Sequence, residues 1–286
     1  MAEIKCSNHP IVRHECHASP RKGATMALRD DGVEKPDGPA PRPTLLSVFD
    51  LDRTLTRLPT YLPFLLYAAW QRAPERLLLL PALLAPALAY ARGSLPRARM
   101  KERMHALLLG KALSAREVHL LAEGFAERLV RAGIYRQALD LIAADRAEGR
   151  RIILATAAPR FYAAALAGRL GIGEVVATDC DWRETYLTPH IVGENCYGDA
   201  KCAMLADHLS AGGIERDRAH IRFYSDHCSD LPTFDYCDEP VAVNPSPRLR
   251  AVAVDRGWRI LDWRGSAAAA RALWDEKNES QLGMAR

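Results

Sequence analysis

The chain has 286 residues, of which 49% are hydrophobic and 26% charged, with a net charge of +4. That is the make-up of a folded, water-facing protein large enough for one big core or a core with an insertion, and it excludes a low-complexity or fibrous chain. The small cationic excess suits an anionic substrate or surface and gives no sign of nucleic-acid binding. Seven cysteines without regular spacing argue against a disulfide scaffold and for a reducing, cytoplasmic setting. No apolar stretch follows basic residues at the start, so no secretory leader is expected.

In residues 1–43, Gly, Pro, Asp, Lys and Arg dominate from Arg21 to Pro43, which predicts a disordered extension. Cys6, His9, His14, Cys16 and His17 cluster there, but their spacing matches no zinc finger, and a floppy tail is the better reading. Next comes Leu45–Phe49, a short apolar strand that ends on Asp50, Asp52 and Thr54. Alternation along an extended segment turns Asp50 and Asp52 the same way. Two carboxylates converging at a strand end repel each other unless a cation or proton lies between them. Such a place can hold Mg²⁺ and carry out phosphoryl chemistry.

No strand is evident from residue 58 to 133, which reads as a helical insertion. Tyr61–Tyr90 is rich in Leu and Ala and is broken by prolines. Three readings stay open for it: helices packed on one another, a hairpin lying on a membrane surface through 61–91, or a span, for which the apolar run is short. Arg99–Leu109 and Ser114–Val130 read as amphipathic helices, the second opened by Ser114 with Glu117 three residues on. Arg97, Arg99, Lys101 and Arg103 offer a site for a second anionic group or, by base rates, a solvated face.

Beyond the insertion, helices over Ile134–Glu148, Phe161–Leu170, Ala200–Leu209, Pro247–Asp255 and Ala267–Lys277 alternate with strands over Arg151–Ala155, Glu174–Thr178, His220–Tyr224 and Pro240–Val243. Asp181 to Val192 reads as a hairpin. The alternation predicts an α/β fold, a Rossmann-like three-layer parallel sheet with helices on both faces. Active sites of such sheets lie beyond the carboxyl ends of the strands. Asp50, Thr156 and Asp226 all fall there.

Three further features join the Asp50 cluster. Thr156 ends an apolar strand before a helix, where a hydroxyl and free amides can grip phosphate oxygens. Lys201 lies in the first turn of a helix entered through Gly198, and acts there as a point charge on a transferring phosphoryl group. Asp226 and Asp230 follow another apolar strand. Taken singly, Thr156 or Asp226 could be a helix cap and Lys201 a surface charge. Together and in this order they are hard to assign to chance.

Asp50-x-Asp52-x-Thr54, Thr156, Lys201 and Asp226-x-x-x-Asp230 resemble the four motifs of the haloacid dehalogenase superfamily of aspartate-nucleophile phosphatases. The insertion is similar to the all-helical C1-type cap of its phosphoserine-phosphatase-like branch. Val241, Asn244, Pro245, Arg248 and the stretch Gly257 to Trp263 resemble a bacterial group of that branch that includes phosphatidylglycerophosphatase C. The resemblance implies a core over 44–57 and 134–265, a cap over 58–133 and a C-terminal helix and tail over 266–286. It implies that Asp50 attacks phosphorus to form an aspartyl-phosphate, and that Asp52 serves as general acid and then base. Mg²⁺ is implied on Asp50, the backbone carbonyl of Asp52, and Asp226, with Asp230 orienting its waters and Thr54 supporting the site. Lys201 and Thr156 are implied to bind the phosphoryl group.

Arg53 and Ser225 stand where glycine is common in that family. No acidic residue follows the first motif to meet a substrate ammonium. A lipid phosphate such as phosphatidylglycerophosphate is therefore the first expectation, with a soluble phosphomonoester (phosphoserine, a sugar or polyol phosphate) as the alternative. A non-catalytic membrane-associated binding module is the alternative from another class.

Overall fold

The computed structural model describes residues 42–264. The expected extension over 1–43 with its Cys/His cluster lies outside them except for its last two residues, and so does the expected helix Ala267–Lys277. Five parallel pairings build the centre of the sheet: β1 (Thr44–Phe49) pairs with β3 (Arg151–Pro159) and β6 (Ala219–Ser225), β3 with β4 (Glu174–Arg183), β6 with β7 (Glu239–Val243), and β7 with β8 (Arg259–Leu261). Two antiparallel strands extend one edge, β5 (Tyr186–Val192) beside β4 and β2 (Leu113–Ser114) beside β5. The order is β2-β5-β4-β3-β1-β6-β7-β8.

Alternation along β1 explains why both faces are covered. Leu46 and Val48 point into one apolar cluster with Leu205 and Leu209 of α7 (Asp199–Ala211) and Leu249 of α9 (Pro247–Asp255). Phe49 points into the other, with Ile142 of α5 (Arg136–Ala147) and Tyr162 of α6 (Arg160–Arg169). Phe49 also stacks on Tyr224 of the neighbouring strand, centroids 4.3 Å apart. A central strand buried on both faces is held in one register, which fixes where its last residue delivers Asp50.

The insertion holds α1 (Tyr61–Arg72), α2 (Leu84–Ala91), α3 (Arg97–Leu108) and α4 (Ala115–Arg128). Its two linkers meet: Thr56 bridges Ile134, and the Arg57 amide donates to the Gly133 carbonyl at 2.8 Å. The Leu/Ala-rich stretch is not one helix. It stops at Ala73 and passes through 3₁₀ turns over Pro74–Leu83 that contain Pro81 before α2 begins, as prolines without an amide donor require. Among the described residues no helix is long and apolar enough to cross a membrane.

Three details differ from the sequence reading. The insertion does contain a strand, β2, too short to carry a period of its own. It pairs Leu113 with Leu187 and thereby adds the insertion to the sheet edge. β8 forms from Arg259–Leu261, which lacks a long apolar run. A short helix α8 (Leu231–Tyr236) follows Asp230. Ser114 caps α4 as expected: its hydroxyl accepts from the Glu117 amide, and Glu117 reaches back to the Ser114 amide.

Candidate active site

Asp50 directly follows β1, Thr156 lies near the end of β3, Asp226 directly follows β6, and Lys201 sits in the first turn of α7. These residues come from four separate parts of the chain, and all line one cleft of about 260 Å³ with Asp52 and Asp230. The topology accounts for this convergence, because parallel strands deliver their carboxyl ends to the same edge.

Lys201 is only 2% exposed, so the surface-charge alternative is not realised. Its ammonium donates to Asp50 Oδ1 and to Asp230 Oδ2, each at 2.7 Å. Burial alone would lower its pKa; the two carboxylates outweigh that and hold it above the usual lysine range. Gly198 makes this placement available. It adopts φ 61° at the start of α7, a conformation that side chains with a Cβ rarely take.

Asp50 is pushed up to about 8, first by burial and then by the charges of Asp230, Asp226 and Asp52, against the pull of Lys201. Asp226 is pushed up to about 7, again first by burial, with Asp230 and Asp52 adding to it. Four carboxylates, Asp50, Asp52, Asp226 and Asp230, share the cleft with the cations Lys201, Arg53 and Arg97. Hard carboxylate oxygens that raise one another's pKa fit a divalent cation. Among the described residues no group of three or more His, Cys, Asp or Glu side chains is arranged to hold a metal. The expected ligand set needs only two carboxylates and one carbonyl, and Mg²⁺ commonly keeps several waters.

Asp52 uses Oδ1 to accept from the Thr60 amide at 2.8 Å and the Thr60 hydroxyl at 2.7 Å. One carboxylate oxygen is thus fixed. Thr60 is itself held by the Tyr162 hydroxyl at 3.1 Å. Thr54 is fully buried, with its hydroxyl 3.5 Å from Asp50 Oδ2. Thr156 is not a helix cap: β3 runs on to Pro159, and the Thr156 hydroxyl accepts from the Ala158 amide at 3.0 Å. Asp230 Oδ2 is occupied by Lys201 and by the Ser225 hydroxyl at 2.6 Å.

The two departures from glycine have local accounts. Arg53 takes φ 63°, the left-handed region, which is why glycine suits that position. Asn244 Nδ2 donates to its carbonyl at 3.3 Å. Ser225 supplies the hydroxyl that anchors Asp230, a contact glycine lacks.

Arg97, offered by the sequence as part of a second anion site or a solvated face, lines the cleft, and so do Tyr197 and His227, to which sequence reasoning gave no role. Arg97 lies with its guanidinium 4.1 Å from the Tyr197 ring centroid, and its Nε is buried without an acceptor. The run Arg97, Arg99, Lys101, Arg103 is split by the helix. Arg97 and Lys101, four apart, face inward, whereas Arg99 and Arg103 are exposed. That spacing was the available signal. His227 Nδ1 accepts from the Ser229 amide at 3.1 Å, capping the turn before Asp230.

Likenesses to known proteins follow the same lines. A 31%-identical protein of unknown function from Bordetella pertussis Tohama I matches with a TM-score of 0.70, covering 77% of this chain and 99% of that one. A phosphoserine phosphatase solved as a phospho-aspartyl intermediate analogue shares the fold at a TM-score of 0.52 and 17% identity, over 78% of this chain and 94% of that one. The phosphoserine phosphatase SerB1 of Mycobacterium tuberculosis is 30% identical over 169 residues, 59% of this chain and 54% of that protein. This chain thus spans about half the length of that curated relative. A probable phosphatase of the same organism is 26% identical over 237 residues, 83% of this chain and 82% of the relative. Residues 47–235 match the model of the haloacid dehalogenase-like hydrolases. With the motif residues gathered at one edge of the sheet, the chain belongs to the haloacid dehalogenase-like hydrolase family.

Proposed function

We propose that the chain is a Mg²⁺-dependent phosphomonoester hydrolase that works through an aspartyl-phosphate on Asp50. The observation that carries this reading is the meeting of Asp50, Asp52, Thr156, Lys201 and Asp226 in one cleft. A carboxylate oxygen of Asp50 attacks phosphorus as the bond to the leaving oxygen breaks. Asp52, steadied by Thr60, gives that oxygen its proton. In the second step Asp52 takes a proton from water, the water oxygen attacks phosphorus, and the bond to Asp50 breaks to release phosphate. Lys201 holds Asp50 in place and offsets charge on the transferring group, while Thr156 bonds the phosphoryl oxygens. Mg²⁺ bound by Asp50, Asp226 and the carbonyl of Asp52 would supply further neutralisation of the like charges that meet there.

For the leaving group we infer a second anionic centre and no ammonium. The cleft lining includes Arg97, whose guanidinium lies against the Tyr197 ring. Asp52 contacts the first residues of the cap, and one of its oxygens is already bonded to Thr60. A lipid phosphate is the first choice, supported by exposed leucines on the cap: Leu78 is 81% exposed, Leu84 72% and Leu88 49%. Between Glu75 and Glu102 that segment carries no acid, and its Arg92 and Arg99 are exposed, which suits an anionic bilayer surface. The second reading, a soluble phosphomonoester, draws on the likeness to phosphoserine phosphatases.

The test is phosphate release from an aryl phosphate with and without Mg²⁺, then from a panel of soluble esters and of lipid phosphates in mixed micelles, alongside flotation with anionic liposomes. Metal-dependent turnover abolished by Asp50→Asn supports the hydrolase. No turnover, with liposome binding retained, leaves the non-catalytic membrane module. Turnover of soluble esters alone, without flotation, removes the lipid reading.

A further inference from the structure

Lys101 lies in the middle of α3 and is 3% exposed. Its ammonium donates to the Ala157 carbonyl at 2.5 Å and to Asn195 Oδ1 at 2.6 Å. Both acceptors are neutral, and among the described residues no carboxylate forms an ion pair with it. Tyr61 offers its ring face, 5.3 Å from Nζ to the centroid. A buried ammonium without an anion is costly. Burial, with the neighbouring Arg97 cation, pushes its pKa down to about 7, against the smaller opposing pull of Asp52, Cys180 and Cys196. An apolar side chain would fill this place at lower cost, so what the ammonium holds is informative.

It holds the cleft wall. Ala157 follows Thr156 and lines the cleft with it. Its carbonyl lies 2.9 Å from the Thr178 hydroxyl as well as 2.5 Å from Lys101. The next amide, on Ala158, donates to the Thr156 hydroxyl. The peptide between Ala157 and Ala158 is therefore pinned from both sides, where the pairing of β3 with β4 slips between Thr156 and Pro159. The same Thr178 hydroxyl lies 3.2 Å from Asn195 Oδ1 and accepts from the Cys196 amide at 3.1 Å. Cys196 stands two residues before Gly198, which opens the helix bearing Lys201. A single cap ammonium thus ties together the turn that carries Thr156 and the loop that leads to Lys201.

We propose that Lys101 is a positioning residue: it locks the turn at Thr156 to the seated cap helix, so that the phosphate-gripping wall is complete only when α3 is docked. The kinetic consequence rests on the phosphomonoester reading; the structural consequence does not.

The test uses the full chain with Lys101→Met and, independently, Thr178→Val, which loosens the same carbonyl while leaving the lysine in place. Amide hydrogen exchange in peptides covering residues 156–160 is expected to quicken several-fold in Lys101→Met, and less in Thr178→Val, with β1 unchanged. Inorganic phosphate binding is expected to weaken about tenfold, the worth of a well-made hydrogen bond to a charged group. The KM for an aryl phosphate rises by a similar factor while kcat moves less, because Thr156 grips ground state and transition state alike. Adding Lys101→Met to Thr156→Val is expected to cause no further loss, since both act through one contact. Unchanged exchange at 156–160, or losses that simply add, overturns the proposal. A wild-type protein that neither binds phosphate nor cleaves esters defeats the phosphomonoester reading, and the exchange measurement still decides the lock. If Lys101→Met does not fold, Lys101→Gln, which carries no charge, takes its place in the same exchange and phosphate-binding measurements.

Discussion

Lys201 and Asp50 form a buried ion pair at 2.7 Å, and the same ammonium reaches Asp230 at the same distance. Asp230 therefore acts as the second anchor of the lysine that faces Asp50. Removing the ammonium leaves two buried carboxylates facing each other. Lys201→Met is expected to lower stability by about 3–5 kcal/mol, as for other broken buried pairs, and to cut phosphate-ester hydrolysis at least a hundredfold. Thermal unfolding and steady-state kinetics check this. Asp230→Asn, which keeps one acceptor oxygen for Lys201, is expected to lose less of both.

The Thr60–Asp52 contact leads to a leaving-group prediction. An acid matters most when the departing oxygen is a poor leaving group. Asp52→Asn is expected to abolish cleavage of alkyl phosphates while sparing much of the first step on a nitrophenyl phosphate. Thr60→Val, which removes the hydroxyl but keeps the amide, is expected to give a milder loss of the same pattern, about tenfold. Comparing kcat/KM on the two ester types measures it.

The sequence made the site more legible than its surroundings, for a physical reason. Asp50, Thr156 and Asp226 stand at ends of short apolar runs, and parallel strands must deliver such ends to one edge. The Ser114/Glu117 cap and the helix Pro247–Asp255 were equally plain, because capping and proline positions are local signals. What stayed hidden depended on distant partners. β2 exists only because β5 pairs with it, and Thr60 meets Asp52 through the turn of the cap linker. Arg97 and Lys101 could be read as a second anion site or as part of a solvated basic face. Their inward orientation follows from where α3 packs, and a run of cations does not encode that.

The lowered pKa of Lys101, about 7 against an ordinary 10.5, makes a stability prediction with a definite sign. The unfolded chain binds a proton here between those values and the folded chain does not, so this group's contribution to stability rises with pH across that window and is lost as pH falls to 7. Lys101→Met is therefore expected to be no less stable than the parent at pH 6, with a gain of up to about 2 kcal/mol. The difference is expected to shrink toward pH 10. Denaturant midpoints at the two pH values measure it.

At the start of α4, Ser114→Ala removes the acceptor for the Glu117 amide and is expected to cost about 1 kcal/mol. Ser114 and then Arg72 hold Glu117 down at about 2, so the stability that its carboxylate adds is present above pH 4.5 and fades as pH falls toward 2. The side chain is 41% exposed, so solvent screens most of this term. The Tm gap between the parent and Glu117→Gln is expected to close over that range.

The central claim is that Asp50 itself carries the phosphoryl group. Acid quench of the full chain during turnover of an aryl phosphate in Mg²⁺, followed by peptide mass spectrometry, tests it most directly. The account predicts a phosphoryl increment on the peptide containing Asp50, lost on neutral hydroxylamine treatment and missing in Asp50→Asn. Turnover without that adduct, or with the phosphoryl group on another side chain, contradicts it.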